Sequence, residues 1–248
     1  MRPRIGLRHD VDTAIGLLRG VGRLVEVEDR LDARSSFYVR ARIVERLGER
    51  ACRLLRLLED DGWEVGLHLD DSDGSLGTAY SEYMVLRRCG VSVRGVTVHG
   101  GIIGCRGWLT WRTIGMMGVE YIHGCPGALS GRPAALASPT IGLDHLIALH
   151  GPRGAVGECV SRASLLAYRA GSAVILAHPV YTVVSAAARF TQLPRRSGLA
   201  VRAAKLLEKL LAAAYTLAGR GLSTPVYSRV LGILRDEGFS LSTLHSLL

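Results

Sequence analysis

Residues 5–18 read Ile-Gly-Leu-Arg-His-Asp-Val-Asp-Thr-Ala-Ile-Gly-Leu-Leu. Ile5–Asp10 is a run of strand length, and from Thr13 to about Glu28 the apolar residues Ile15, Leu18 and Val25 recur at helical spacing. A strand that feeds a helix through a short polar turn is one βα unit, and the same alternation continues along the chain. Strands are expected at Ser35–Val39, Glu64–Leu69, Gly95–His99, Val119–His123, Leu146–His150, Ala173–His178 and Phe239–Leu244. Helices are expected at Ala41–Asp61, Ala79–Cys89, Thr110–Met117, Ser161–Ala170 and Leu199–Ala218, with a last one capped by Thr224-Pro225 and ending at Gly238. Repeated units of this kind imply a parallel sheet, and about seven in one domain favour a barrel over an open sheet. A loop rich in Gly, Pro and Ser from Gly124 to Thr140 is the one long irregular stretch. No linker or internal repeat divides the chain, so residues 1–248 are expected to form a single α/β domain, a distorted (β/α) barrel of about seven strands.

Composition agrees with that class. The chain has 248 residues, 48% of them hydrophobic and 21% charged, which supports a buried core and excludes a disordered, collagen-like or coiled-coil chain. Its formal charge of +9 comes almost wholly from arginine, since Lys205 and Lys209 are the only lysines. No long basic run and no nucleic-acid motif accompanies the charge, so solvated arginines are expected and nucleic acid is not. Five cysteines at 52, 89, 105, 125 and 159 contain no CxxC pair. An odd count spread through the chain suggests reduced thiols and a cytoplasmic protein. The N-terminus has no apolar run of signal-peptide length. The uncharged window Ala170–Ala188 is long enough for a span, but Gly171, His178 and Pro179 inside it read as strand plus loop, so no membrane association is expected. Leu206, Leu207, Leu210 and Leu211 give Leu199–Ala218 a broad apolar stripe, for packing on the barrel wall in a monomer or for a homodimer contact.

Chemistry concentrates at the strand ends. Six of the eight histidines, at 9, 68, 99, 123, 150 and 178, end or nearly end a strand candidate. In a parallel barrel those ends open on one face, so the imidazoles are expected to converge beside Asp10 and Asp12. Histidine and aspartate are a natural ligand set for zinc or a similar divalent metal. Asp10 and Asp12 are two residues apart on an extended chain and so point to one side, where one could bind a cation and the other take a proton. Asp12 or Thr13 could equally cap the following helix.

Taken in order, these segments resemble the polysaccharide deacetylase superfamily, which includes the fourth carbohydrate esterase family. LRHDVD at 7–12 is similar to its first motif, in an HDVD-type variant. SSFYV at 35–39 is similar to its second strand, and GWEVGLH at 62–68 to the strand bearing its first metal histidine. GVTVHGG at 95–101, GVEYIHG at 118–124 and AVILAHP at 173–179 fall at its third, fourth and fifth motifs. The resemblance implies hydrolysis of an N-acetyl or related amide by a metal-activated water. It implies Asp10 as general base, Asp12 and His68 as metal ligands, and His178 as the acid that protonates the leaving amine.

The chain departs from the pattern in three places. The family's second histidine, four residues after the first, is Ser72 here. A branch with the HDVD form places His-Gly at the third motif, so His99 is the expected third ligand of a divalent metal, with zinc the expected ion. The Arg-x-Pro of that motif is missing, which leaves the arginine that would hold the base unassigned. The fourth motif offers Tyr121 and His123 in place of aspartates; these, with Trp108 and His150, are the expected substrate contacts. The expected substrate is a small amide or soluble glycan precursor. The alternatives are a non-catalytic barrel that binds a carbohydrate or nucleotide-sugar, and a cyclic ureide or imide hydrolase on the same fold.

Overall fold

The computed structural model describes residues 3–70, 76–99, 117–124, 134–136, 138–183 and 223–248. Among them nine strands form one sheet in which every pairing is parallel. The strands are β1 (Arg4–Val11), β2 (Ser36–Val39), β3 (Glu64–Leu69), β4 (Gly95–Val98), β5 (Tyr121–His123), β6 (Ala134–Leu136), β7 (Thr140–Gly142), β8 (Ser172–Ala177) and β9 (Ser240–Ser242). Their order is β6-β5-β4-β3-β2-β1-β8-β7, and β9 pairs the first half of β1 below β2. The sheet curls into an open barrel. The α-helices among the described residues are α1 (Val21–Arg30), α2 (Ala41–Leu47), α3 (Glu49–Asp60), α4 (Leu76–Arg88), α5 (Leu143–Ala170) and α6 (Ser223–Asp236).

Side-chain alternation gives the sheet two different faces. Ile5, Leu7, Val11, Phe37, Val39, Val65, Leu67, Leu69, Val96 and Val98 point outward and pack with the helices in the main core. The alternate positions point inward, where Tyr38, Tyr121, Leu136, Val174, Leu244 and Leu247 form a second, smaller cluster. Two glycines make that interior possible. A Cβ on Gly66 would lie 2.5 Å from the Tyr38 ring, and one on Gly95 would lie 2.3 Å from the Tyr121 ring. Tyr38 and Tyr121 hydrogen-bond each other, and Tyr121 also bonds Glu64, so the buried hydroxyls are satisfied.

Seven of the expected strands are present, the expected helix Ala41–Asp61 divides into α2 and α3 at Gly48, and three further assignments change. Leu146–His150 is not a strand but the first turns of α5, because Leu143, Leu146 and Ile147 are buried at helical spacing. A short apolar run does not distinguish the two periods by itself. Helix α5 breaks at Gly151 (φ 69°, ψ 174°), immediately before Pro152. The stretch read as one loop from Gly124 to Thr140 contains β6 and ends at β7. The expected helix from Thr13 starts as a π-helical segment at Gly16–Gly20 before α1.

Cys52 and Cys89 form a disulfide that joins α3 to the residue after α4, which corrects the expectation of reduced thiols. The two lie 37 residues apart, but the packing of α3 and α4 on the sheet brings their Cα atoms to 4.7 Å. Cys159 is a buried free thiol, and burial pushes its pKa up to about 12. Among the described residues no helix is long and apolar enough to cross a membrane. The expected helices Leu199–Ala218 and, apart from Met117, Thr110–Met117 lie outside the described residues, as do Ser72 and Trp108.

Candidate metal centre

Asp12 follows β1, His68 lies near the end of β3 and His99 follows β4, so three neighbouring segments deliver them to the C-terminal side of the barrel. One ligand atom from each lies within 4.8 Å of the others. Asp12 Oδ1 stands 3.4 Å from His68 Nε2 and 3.4 Å from His99 Nδ1, and the two ring nitrogens are 3.3 Å apart. His68 Nδ1 is 2.7 Å from Thr97 Oγ1, the residue opposite it in the β3–β4 register. With Nδ1–H donated to that hydroxyl, Nε2 turns a lone pair toward Asp12 and His99.

The electrostatics match a ligand set. Burial holds the His68 pKa below its ordinary value, outweighing the pull of Asp10 and Asp12, which favours the neutral ring that a metal requires. Burial pushes the Asp12 carboxyl up, but contact with His99 and the nearby His68 and His178 outweigh it, and its pKa is lowered. Asp12 Oδ1 is buried with no hydrogen-bond partner. An orphaned carboxylate oxygen facing two imidazole nitrogens is unfavourable alone, and a cation placed among them would satisfy it. Two nitrogens and one oxygen fit the three-ligand form of a catalytic zinc or similar divalent metal, which leaves a position open.

Asp10 shares the inward face with Asp12. Its Oδ2 lies 3.8 Å from His68 Nε2, and Arg8 grips the carboxylate with two bonds, Nε to Oδ1 at 2.8 Å and Nη2 to Oδ2 at 2.7 Å. Burial would raise the Asp10 pKa, but Arg8, and less strongly His68, hold it well below the carboxylate range. Arg8 thus holds the Asp10 carboxylate, where the sequence reading left the partnering arginine unassigned. It sits two residues before Asp10, and period-two alternation puts both on one face, so a signal for it was present in LRHDVD.

His178 follows β8, and its Nε2 lies 3.7 Å from Asp12 Oδ2. Asp144, in the first turn of α5, accepts the His178 backbone N–H at 2.7 Å and faces its Nδ1 at 3.0 Å. Burial alone would lower the His178 pKa, yet the Asp144 bond and charge raise it. Nδ1–H is thereby committed to Asp144, and Nε2 faces the site. Nothing in the sequence marked Asp144, because it lies 34 residues from its partner, in the short stretch just before a segment read as strand.

The remaining expected site residues are elsewhere. His9 points outward, as alternation requires of a neighbour of Asp10. It is wholly buried, 2.6 Å from Glu28 and 3.2 Å from the Ala177 carbonyl, in a network completed by Trp63 and Tyr227. Tyr121 and His123, the expected substrate contacts, are buried and held internally. His123 Nδ1 accepts from Arg8 at 3.1 Å, and its Nε2 faces the Ser138 carbonyl and Thr140 Oγ1, both at 3.3 Å. Burial and the neighbouring Arg8 push the His123 pKa down to about 3, so the ring is neutral. His150 is exposed on α5, in the helix that replaces the expected strand.

Comparison with solved structures identifies the fold. The chain is similar to the polysaccharide deacetylase Bc1974 from Bacillus cereus (12% identity, TM-score 0.60, 98% of this chain and 92% of that one). It is also similar to the peptidoglycan deacetylase PdaC from Bacillus subtilis (14% identity, TM-score 0.56, 99% and 90%). A third similar structure is BA3943 from Bacillus anthracis, a CE4 family pseudoenzyme (12% identity, TM-score 0.57, 99% and 65%), so the chain spans about two thirds of that protein. No family model matches the sequence, and no curated protein does. The fold is that of the CE4 polysaccharide deacetylases.

Proposed function

We propose that the protein is a metal-dependent hydrolase of amide bonds, acting on an N-acetylated sugar or a related small amide. The observation that carries the reading is the orphaned Asp12 Oδ1 facing His68 Nε2 and His99 Nδ1, with an arginine-held carboxylate on one side and an aspartate-held imidazole on the other. Asp12, His68 and His99 would hold the metal, and zinc fits the donor set. When bound, such an ion supplies Lewis-acid polarisation of the amide carbonyl and acidification of water.

The chain's own groups divide the proton work. Asp10 is ionised and kept from rotating by Arg8, so it can accept a proton from the attacking water. His178, with Nδ1 bonded to Asp144, can carry a proton on Nε2 and deliver it to the departing nitrogen. The two groups stand in different electrostatic surroundings, one beside an arginine and the other beside an aspartate, as an acid and a base in one site require.

The test is release of acetate from N-acetylated sugars by zinc-loaded protein. Asp10→Asn and His178→Ala are each expected to abolish turnover while the zinc content stays at the wild-type level. Loss of zinc in Asp10→Asn would make Asp10 a ligand, and full turnover in His178→Ala would remove it from the mechanism. The similarity to a CE4 pseudoenzyme gives the competing reading of a non-catalytic binding barrel. Saturable sugar binding by zinc-loaded protein without acetate release would favour it.

A further inference from the structure

Arg40 follows β2 and is buried between Asp12 and Asp70. One of its terminal nitrogens, Nη2, pairs with Asp70 Oδ1. Asp70 is held in turn, with Arg42 Nε 3.4 Å from its other oxygen and its backbone N–H donated to Glu82 at 2.8 Å. The second terminal nitrogen of Arg40, Nη1, stands 3.7 Å from Asp12 Oδ1. That is the oxygen which also faces His68 Nε2 and His99 Nδ1. At this distance the guanidinium acts on the oxygen as a charge but forms no hydrogen bond with it, and Asp12 Oδ1 has no partner.

A guanidinium and a metal ion cannot both draw fully on one carboxylate oxygen. Arginine is permanently charged, so its opposition does not relax by losing a proton. Like charges a few ångströms apart in a largely buried site repel appreciably, because little water lies between them. We propose that Arg40 weakens the hold of Asp12 on the metal, and that Asp70 limits this by drawing the guanidinium aside. The Arg40–Asp70 pair thereby sets the metal affinity of the centre. This inference rests on the metal-centre reading above.

The inference assigns opposite effects to two neighbouring residues. Removal of Arg40 strengthens metal binding, whereas removal of the Asp70 charge releases Arg40 onto Asp12 and weakens it. Groups in the shell around metal ligands typically alter affinity by about 10- to 100-fold when changed. A decrease in Kd of about tenfold is expected for Arg40→Met, and an increase of similar size for Asp70→Asn. In Arg40→Met the further change Asp70→Asn has little left to act on.

The experiment is chelator-competition titration of the full chain with zinc alone, without substrate, after circular dichroism has verified folding. Arg40→Gln serves as a second variant should Arg40→Met not fold. Tighter binding in the Arg40 variant and weaker binding in Asp70→Asn, with that weakening mostly abolished in the double variant, are the expected results. Wild-type binding with an unchanged or higher Kd in folded Arg40 variants overturns this inference alone. So does equal weakening by Asp70→Asn with and without Arg40, because that behaviour would make Asp70 a ligand. Failure of the wild-type protein to bind zinc overturns the metal reading itself.

Discussion

Acidification tests the buried interior through His123. The ring is almost wholly buried, and its pKa falls from 6.5 to about 3 because burial and the adjacent Arg8 oppose a second positive charge. The unfolded chain takes up this proton near pH 6.5, while the folded chain does not until near pH 3. The stability associated with the neutral ring is therefore full above pH 6.5 and lost progressively as pH falls toward 3. One proton of difference gives a limiting slope of about 1.4 kcal/mol per pH unit, and because the unfolded ring is only half protonated at pH 6.5, acidification from pH 6.5 to 4.5 removes about 2 kcal/mol through this residue. His123→Asn retains an acceptor for Arg8 and does not titrate. Urea denaturation of both proteins at half-unit intervals from pH 7 to 4.5 should show the wild-type curve steeper by about one proton, on top of carboxylate effects common to both. Parallel curves would refute the reasoning, because the ring would then be reached by its proton without unfolding.

Arg8→Met leaves Asp10 buried without its partner and is expected to cost about 3–5 kcal/mol, measured by urea denaturation at pH 7. Combining it with Asp10→Leu should recover much of that loss; additive losses would contradict the pairing. Asp144→Asn should lower kcat for acetate release with little change in KM or zinc content, because it removes the group that orients His178; unchanged kcat would count against that role. Reduction of the Cys52–Cys89 bond, which closes a 37-residue separation, should cost about 4 kcal/mol of unfolding free energy on the chain-entropy estimate. Peptide mapping without reductant that finds these two cysteines unlinked would contradict the pairing itself.

The barrel was legible because a parallel sheet writes itself as short apolar runs separated by helical periods. It failed where one run was too short to reveal its period, at Leu146–His150, and Asp144 went unseen with it. The juxtaposition of Asp12, His68 and His99 follows from strand order, since β1, β2, β3 and β4 are successive neighbours and the residues sit at corresponding ends. The histidine count misled in the other direction. Ending a strand does not say which face a side chain takes, and alternation sends His9 outward beside the inward Asp10. His123 does face inward, but deep enough that Arg8, Ser138 and Thr140 occupy both its ring nitrogens. The partners missed from sequence, Arg8, Thr97 and Asp144, orient other groups, and such roles depend on cross-strand register and helix placement more than on local motif.

The most direct measurement is zinc stoichiometry and affinity by calorimetric titration of metal-free protein, comparing wild type with Asp12→Asn, His68→Ala and His99→Ala. The account predicts one zinc per chain in the wild type and strong loss of affinity in each variant, with folding retained. A wild-type chain that binds no zinc, or three folded variants that bind it as the wild type does, would contradict it.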